Sequence, residues 1–506
     1  MLHQLCVLTT LAIGLSTPVS GLTTTDCDLT GISQCDALIA AGLRDQLLFP
    51  GDNSYEPRIN SWWSASSRLR PWCIVQPRTV QDVSKVMRAL SQLGTGGFAV
   101  RSGGHSHWTG GSNIENGITI DLGKFDEVSY VPGSKIASIG PGQRWGDVFQ
   151  ILESKGVAVA GGRDGNVGVG GLVTGGGNSY YTGRHGFACD TLLNAEVVLA
   201  DGRIVHANAV ENRDLWKALK GGSGNFGIVT RFDLEAFQTG QLWGGMRASN
   251  KSTAPEIIKA LVNFTNNNAK NPEAAFLINF TYQPSLVQGE LIVAHVLIDT
   301  DGVPKPSIFR EVLQVPELFS DMKKRPMSGI ANDYVLPSGK SNVWFTLTFK
   351  NDARVVQRAF DLQEAFVADL LTIIPANQLV AQSLFQPLPR FFSEIGLKKG
   401  GNVLGLDSAK DNSLLWLGAI AVESPEYEAI VRRKAAAMKS CLEQYAISIN
   451  ALVPWQYLNY ADPSQNPLKS YGQQNLQFLR SVSRKYDPNG VFQNQVPGGF
   501  KLSRAE

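Results

Sequence analysis

Residues 161–177 read GGRDGNVGVGGLVTGGG, nine glycines in seventeen positions. Such density is costly in conformational entropy. A chain tolerates it where backbone must pass close to something flat or phosphorylated. The interleaved Val167, Val169, Leu172 and Val173 argue against a solvated flexible linker. Two more glycine clusters flank this one, at 102–112 and 221–227. The first contains Arg101-Ser-Gly-Gly-His-Ser106, directly after the apolar stretch FAV. Its glycines let N–H groups approach an anion, making a concave nest. Ser106 can add a hydroxyl donor. His105 beside such a nest reads as a ligand, a base, a covalent attachment point, or an exposed residue of a tight turn. The third cluster, Gly222-Ser-Gly-Asn-Phe-Gly227, matches GxGxxG, but a helix precedes it and a strand follows. A dinucleotide fingerprint needs the reverse order, so a Rossmann site is rejected. No GxxxxGK[ST] or GxSxG is present either.

The rest of the composition is unremarkable for a large folded chain. The 506 residues are 43% hydrophobic and 18% charged, with a net charge of +2. Disorder is excluded by that combination. The near balance of charge argues against a nucleic-acid grip. Length alone suggests about two or three domains.

Residues 2–15 form a short apolar run, followed by small residues up to Gly21. This reads as a secretory signal peptide at 1–21, although only His3 could carry charge ahead of the run. The run is too short for a bilayer span, so no membrane association is expected. Cleavage would leave Cys27, Cys35, Cys73, Cys189 and Cys441. A bridge from Cys35 (or Cys27) to Cys73 would staple the N-terminal segment to the domain. No CxxC pair exists, and no metal site is expected. Sequons at Asn250, Asn263 and Asn279 agree with secretion and are taken as glycosylation sites.

Residues 79–94 read as a helix, with Thr79 and Asp82 as a capping box and Gly94 as its stop. Strands are expected at FAVRS, at 118–122, in LLNAEVVLA with its partner RIVHA, and at 226–237. The Trp145–Leu152 stretch and Asp214–Lys220 read as helices. From 275 onward the pattern changes to long strands (two within 275–300, then 342–350 and 413–422) and long helices (353–373, 424–446). That middle part looks like an antiparallel sheet with helices on one face, inserted at 241–445 into a domain formed by 22–240 and 446–506. The fold class is α+β.

The three glycine stretches together resemble the berberine-bridge-enzyme-like flavoproteins of the vanillyl-alcohol-oxidase superfamily, especially secreted fungal members. The resemblance rests on VRSGGHS, GVGGLVTGGGNSYY, NAEVVLADG, DLWKALKGGSGNFGIVTRF, WQYLNYAD and YDPNGVFQ. It implies a two-part PCMH-type FAD-binding domain, its core at about 69–240, and an antiparallel substrate domain. It also implies roles. Arg101, Ser102, Gly103, Gly104 and Ser106 would wrap the FAD pyrophosphate. His105 would carry the covalent bond to the flavin 8α-methyl, with His107 as its nearby competitor. Gly162, Asp164, Val167, Gly168, Gly170, Gly171 and Gly176 would line the pyrophosphate and the flavin ring. Ile228 would hold the adenine end, and Asn459 the flavin side. Asp164 stands where many members carry a second, cysteinyl attachment, so one covalent bond is expected. His185 stands where many plant members carry Tyr.

The expected chemistry is hydride removal from an alcohol or activated C–H carbon of a small organic molecule, a fungal secondary metabolite, with O₂ as acceptor. Tyr460 is the first candidate base, Tyr457 the second, and His185 or a cationic side chain the helper. Val169 could govern oxygen access. Trp344, Phe345, Phe385 and Trp416 could reach the substrate, though neighbours on a strand face opposite ways. An oligosaccharide C1 oxidase, with an open polar groove, is the alternative. A flavin-binding protein without turnover is the second alternative. A monomer is expected.

Overall fold

The computed structural model describes residues 29–286 and 289–505. The expected leader at 1–21 and Cys27 lie outside these. The capping-box helix forms as its sequence dictates. It spans Val80–Leu93, with Thr79 Oγ1 accepting from Asp82 N at 3.1 Å and Asp82 Oδ2 accepting from Thr79 N at 3.1 Å. Gly94 ends it at φ +64°. Val83, Val86, Met87 and Leu90 are buried against the first sheet.

That sheet has four strands in the order Leu47–Leu48, Cys73–Val75, Ile118–Asp121, Phe98–Arg101. Its last three strands are parallel. A disulfide joins Cys35, in the helix Ser33–Ala40, to Cys73. It closes a 38-residue separation. Replacing both cysteines with alanine should cost about 2–4 kcal/mol. Denaturant midpoints of the unreduced protein and the double variant measure this. Cys189 (buried) and Cys441 (exposed) are free thiols among the described residues.

The second sheet is antiparallel, in the order Val128–Tyr130, Ile136–Ile139, Ile228–Glu235, Leu192–Val198, Ile204–Asn208. The expected Asp201-Gly202 hairpin joins its last two strands, with Gly202 at φ +80°.

The third sheet is antiparallel and has nine strands, from Leu242–Asn250 to Leu452–Val453. Its ends bracket the expected insertion and run past position 445. Two of its long strands, Leu242–Asn250 and Leu379–Leu388, and three short ones, Phe319–Ser320, Lys323–Arg325 and Leu452–Val453, are not expected from the sequence. The first is disguised by Gly244 and Gly245. Gly244 is held at φ +155°, where a Cβ would meet Leu297 O at 2.1 Å. One face of the sheet carries Phe276, Ile278, Phe280, Phe345, Phe385 and Trp416. They form a core with the helices Ala254–Asn267, Ala353–Leu371 and Glu428–Ser448. Each such side chain contributes roughly 1.5–3 kcal/mol by leaving water. The other face is turned toward the first two sheets.

Strand alternation therefore settles the four aromatic candidates. Trp344 faces the other sheets, while Phe345, Phe385 and Trp416 face the helices.

Candidate active site

Between the sheets runs a cavity of about 530 Å³, within the range of small-molecule sites. Its wall brings together the segments 102–108, 163–172, 223–229, 457–461 and 498–501. Its floor is the free face of the nine-stranded sheet.

Two glycine loops meet backbone to backbone at one side. A Cβ on Gly103 would lie 2.4 Å from Gly168 Cα, and one on Gly168 would lie 2.4 Å from Gly103 N. Glycine is required at both positions by this approach. Arg144 clamps the pair, donating from Nη1 to Asn166 O at 2.5 Å and from Nη2 to Gly103 O at 2.9 Å. Ser102 Oγ donates to Pro141 O and accepts from Gly170 N at 3.0 Å.

His105 sits on this loop and stacks on Trp63, with ring centroids 4.3 Å apart at 11°. Its Nε2 is buried and lacks a hydrogen-bond partner. Asp164 Oδ2 is 3.7 Å away, beyond hydrogen-bond reach. That carboxylate is already engaged, accepting from Leu336 N at 2.8 Å and, through Oδ1, from Asn166 N at 2.7 Å. Burial pushes the His105 imidazole down to about 3, with Arg144 and His107 acting in the same direction. At neutral pH the ring is uncharged and keeps a lone pair available. His107 also lines the cavity, stacked on Trp344 at 4.9 Å. Its Nε2 is likewise buried without a partner.

Tyr460 closes the site from the C-terminal segment. Its phenolic oxygen accepts from Arg163 Nη2 at 2.5 Å and from Gln386 Nε2 at 3.2 Å. One of the two donors is cationic, so the contact is charge-assisted. Gln386 is held in turn by Asn178 Nδ2, which donates to its Oε1 at 3.1 Å. Tyr457 has a different task. Its hydroxyl accepts from Gly177 N at 3.0 Å, Asn178 N at 2.7 Å and Asn459 Nδ2 at 3.1 Å. Burial pushes this phenol well above its ordinary range. It fixes the end of the glycine-rich stretch, and its saturated oxygen is poorly placed to take a proton.

Of the residues expected at the cofactor, Ser102, Gly103, Gly104, His105, Ser106, Asp164, Val167, Gly168, Gly170, Gly171, Ile228 and Asn459 line the cavity. Four expected site residues do not, and each has a packing reason. Arg101 follows Val100 on a strand, so the two point to opposite sides; Val100 faces the cavity. The Arg101 guanidinium stacks over Trp62 at 3.6 Å and donates to Arg58 O and Ser61 O. It is a buried buttress. Gly162 lies against Trp145, where a Cβ would sit 2.5 Å from Cδ1. Gly176 packs under the Tyr457 ring at φ +123°. His185 stacks on Phe237 with centroids 3.6 Å apart, away from the cavity wall. The cationic partner of Tyr460 is Arg163. Val169 is also corrected: it is fully buried in the core, inside a short helix Val169–Thr174, and does not border the cavity.

The sequons divide in the same way. Asn250 is exposed at a strand end. Asn263 is half-buried and donates to Glu311, while its Thr265 hydroxyl is buried against Leu261 O. Asn279 is only 9% exposed and lines the cavity floor. A glycan cannot be accommodated there, so Asn279 is withdrawn as a glycosylation site.

Sequence reasoning missed Arg163, Gln386 and Trp63. Arg163 lay inside the stretch already under scrutiny, and its charge among nine glycines was the available signal. Gln386 and Trp63 had none.

The wall suits the dinucleotide expected from the sequence. Partnerless His105 Nε2 offers an attachment atom. At Gly171 and Gly224 a Cβ would meet nothing within 4 Å, so bare backbone borders the open space.

Comparison with known proteins agrees with this. A family model described as an FAD binding domain matches residues 71–208. The chain is 37% identical to the FAD-dependent monooxygenase drtC of Aspergillus calidoustus, over 94% of this chain and 92% of that one. It is 36% identical to the FAD-dependent monooxygenase sdcF of Emericella nidulans, over 93% of this chain and 98% of that one. Among solved structures it resembles the glucooligosaccharide oxidase of Acremonium strictum, which carries a 6-S-cysteinyl, 8α-N1-histidyl FAD. That match has a TM-score of 0.75 at 21% identity, covering 93% and 99% of the two chains. A moss protein, Physcomitrella patens BBE-like 1, matches with a TM-score of 0.71 at 19% identity, covering 92% and 99%.

Proposed function

The chain belongs to the berberine-bridge-enzyme-like FAD-dependent oxidoreductases of the vanillyl-alcohol-oxidase superfamily, and from that membership we propose that it oxidises an alcohol or activated C–H carbon of a largely apolar small molecule, with O₂ as acceptor. The observation that carries the substrate class is the cavity floor. It is built mainly from Met246, Leu277, Val296, Leu384, Leu417 and Trp344, with Asn279 and Gln382 as polar members. Sugars are bound by dense polar contacts, so this floor favours an aromatic or polyketide-like metabolite over an oligosaccharide.

Bound FAD supplies the acceptor for the substrate's hydride equivalent. The protein's own residues orient, exclude water and move a proton. As a phenolate, Tyr460 takes the proton of the substrate hydroxyl and becomes neutral; before the transfer, Arg163 and Gln386 hold the phenolate charge by donating to its oxygen. The apolar floor holds the substrate body and keeps water from the reacting carbon. His105 is the covalent tether, through its neutral partnerless ring, and Asp164 leaves it the single one. The apolar run at 2–15 and the Cys35–Cys73 bridge support secretion.

A substrate screen tests this. Aromatic alcohols and hexose oligosaccharides are offered separately, with peroxide and product quantified under ¹⁸O₂. Flavin bleaching and peroxide release with aromatic alcohols alone, and no label in the product, are expected. Turnover of the sugars only would sink the apolar-substrate reading. Label in the product would make the enzyme a monooxygenase, as its relatives are named. No bleaching by any substrate would leave a flavin-binding protein without turnover.

A further inference from the structure

Lys501 has no place in the chemistry above, yet it is 4% exposed and lines the cavity. Its ammonium has one polar contact, donating to Gly224 O at 3.3 Å. No carboxylate pairs with it among the described residues. The nearby Asp487 carboxylate is occupied, accepting from Val491 N and Phe492 N at 2.8 Å each. A buried charge without an anionic partner is strongly disfavoured. Burial pushes Lys501 down to about 7, with Arg504 acting in the same direction and Asp487 against.

The lysine is delivered to this place by the third glycine cluster, the one whose helix and strand stand in the wrong order for a dinucleotide fingerprint. Asn225 Nδ2 donates to Gly222 O at 2.8 Å and to Phe500 O at 2.9 Å. Its Oδ1 accepts from Gln493 Nε2 at 3.1 Å and from Leu502 N at 3.4 Å. The C-terminal segment is thereby pinned to the 222–227 loop, with Lys501 between two of the pinned positions. Trp108, just past the RSGGHS loop, packs on Phe500 with centroids 4.7 Å apart. Gly498 touches Gly110 so closely that a Cβ would meet its oxygen at 1.7 Å. One wall of the cavity is therefore assembled from the 102–111 loop, the 222–227 loop and the C-terminal segment, with a lone ammonium facing in.

We propose that Lys501 is the charge partner of the cofactor's diphosphate, and that the 222–227 loop serves as the dock that carries the C-terminal segment onto it. This rests on FAD occupying the cavity, and the test separates the two claims. The full-length His105→Ala chain, freed of flavin, is titrated with FAD and with riboflavin, which lacks phosphate. Lys501→Met on that background should weaken FAD at least tenfold, or about 1.4 kcal/mol, and leave riboflavin within about twofold. Lys501→Arg should keep FAD within about threefold, because the charge is retained. ADP should raise the melting temperature of the lysine and arginine forms and not of the methionine form. Equal losses for FAD and riboflavin would mean a merely structural lysine and overturn the proposal. Unchanged FAD affinity in Lys501→Met would overturn it as well, and both results leave the cofactor reading standing. A His105→Ala chain that binds riboflavin and FAD equally weakly before any change at Lys501 overturns the cofactor reading, and the proposal with it.

Discussion

Tyr460→Phe slows substrate-dependent flavin bleaching at least tenfold, within the ~10²–10⁴ range of a positioned general base, and leaves the flavin content unchanged. The phenolic oxygen is the point on which Arg163 Nη2 and Gln386 Nε2 converge. Removing it takes away the atom that accepts the substrate proton and leaves the half-buried arginine without its nearest acceptor. The ring itself remains, so the packing of Trp344 against it, with centroids 5.8 Å apart, persists. Anaerobic stopped-flow absorbance with an alcohol from the screen gives the rate. Normal bleaching in the variant would remove Tyr460 from the proton-transfer role. Tyr457→Phe is the useful contrast. It leaves the amides of Gly177 and Asn178 without their acceptor, so it should lower stability and flavin content more than the bleaching rate per bound flavin.

His105→Ala releases all flavin into the supernatant on acid precipitation, whereas the unaltered chain keeps it in the pellet. The reason lies in the environment of the imidazole. Stacking on Trp63 fixes the ring, burial keeps it neutral, and Nε2 has no protein partner competing for its lone pair. His107 is buried, partnerless at Nε2 and stacked on a tryptophan in the same way, so what favours His105 is its place in the Ser-Gly-Gly-His frame. His107→Ala should therefore retain the flavin in the pellet. Acid release from the unaltered chain would end the covalent assignment, and retention in His105→Ala would transfer it to His107.

The local features were legible without a fold. The Thr79–Asp82 capping box, the Asp201-Gly202 hairpin and the reversed helix–strand order around Gly222–Gly227 all involve neighbours in sequence, and each formed as read. The glycine density of 161–177 also announced close backbone approach, because only glycine permits the Gly103–Gly168 contact. Errors arose wherever a residue type was right and its direction unknown. Arg101 belongs to the RSGGHS stretch in sequence, but strand alternation turns it onto Trp62. Asn279 satisfies a sequon, yet its strand buries it on the cavity floor. His185 aligns with a family position and stacks on Phe237 instead.

The sequence by itself determined the family, the cofactor expected and the α+β class, since each is written in contiguous motifs. The tertiary structure alone decided who meets whom. Arg163 and Tyr460 are 297 positions apart, and Lys501 and Gly224 are 277 apart. No local propensity encodes such a pair. It exists because burying one face of each sheet brings the glycine loops, the inserted sheet and the C-terminal segment around one cavity, and charge is stabilised there only by the few groups that packing leaves facing inward.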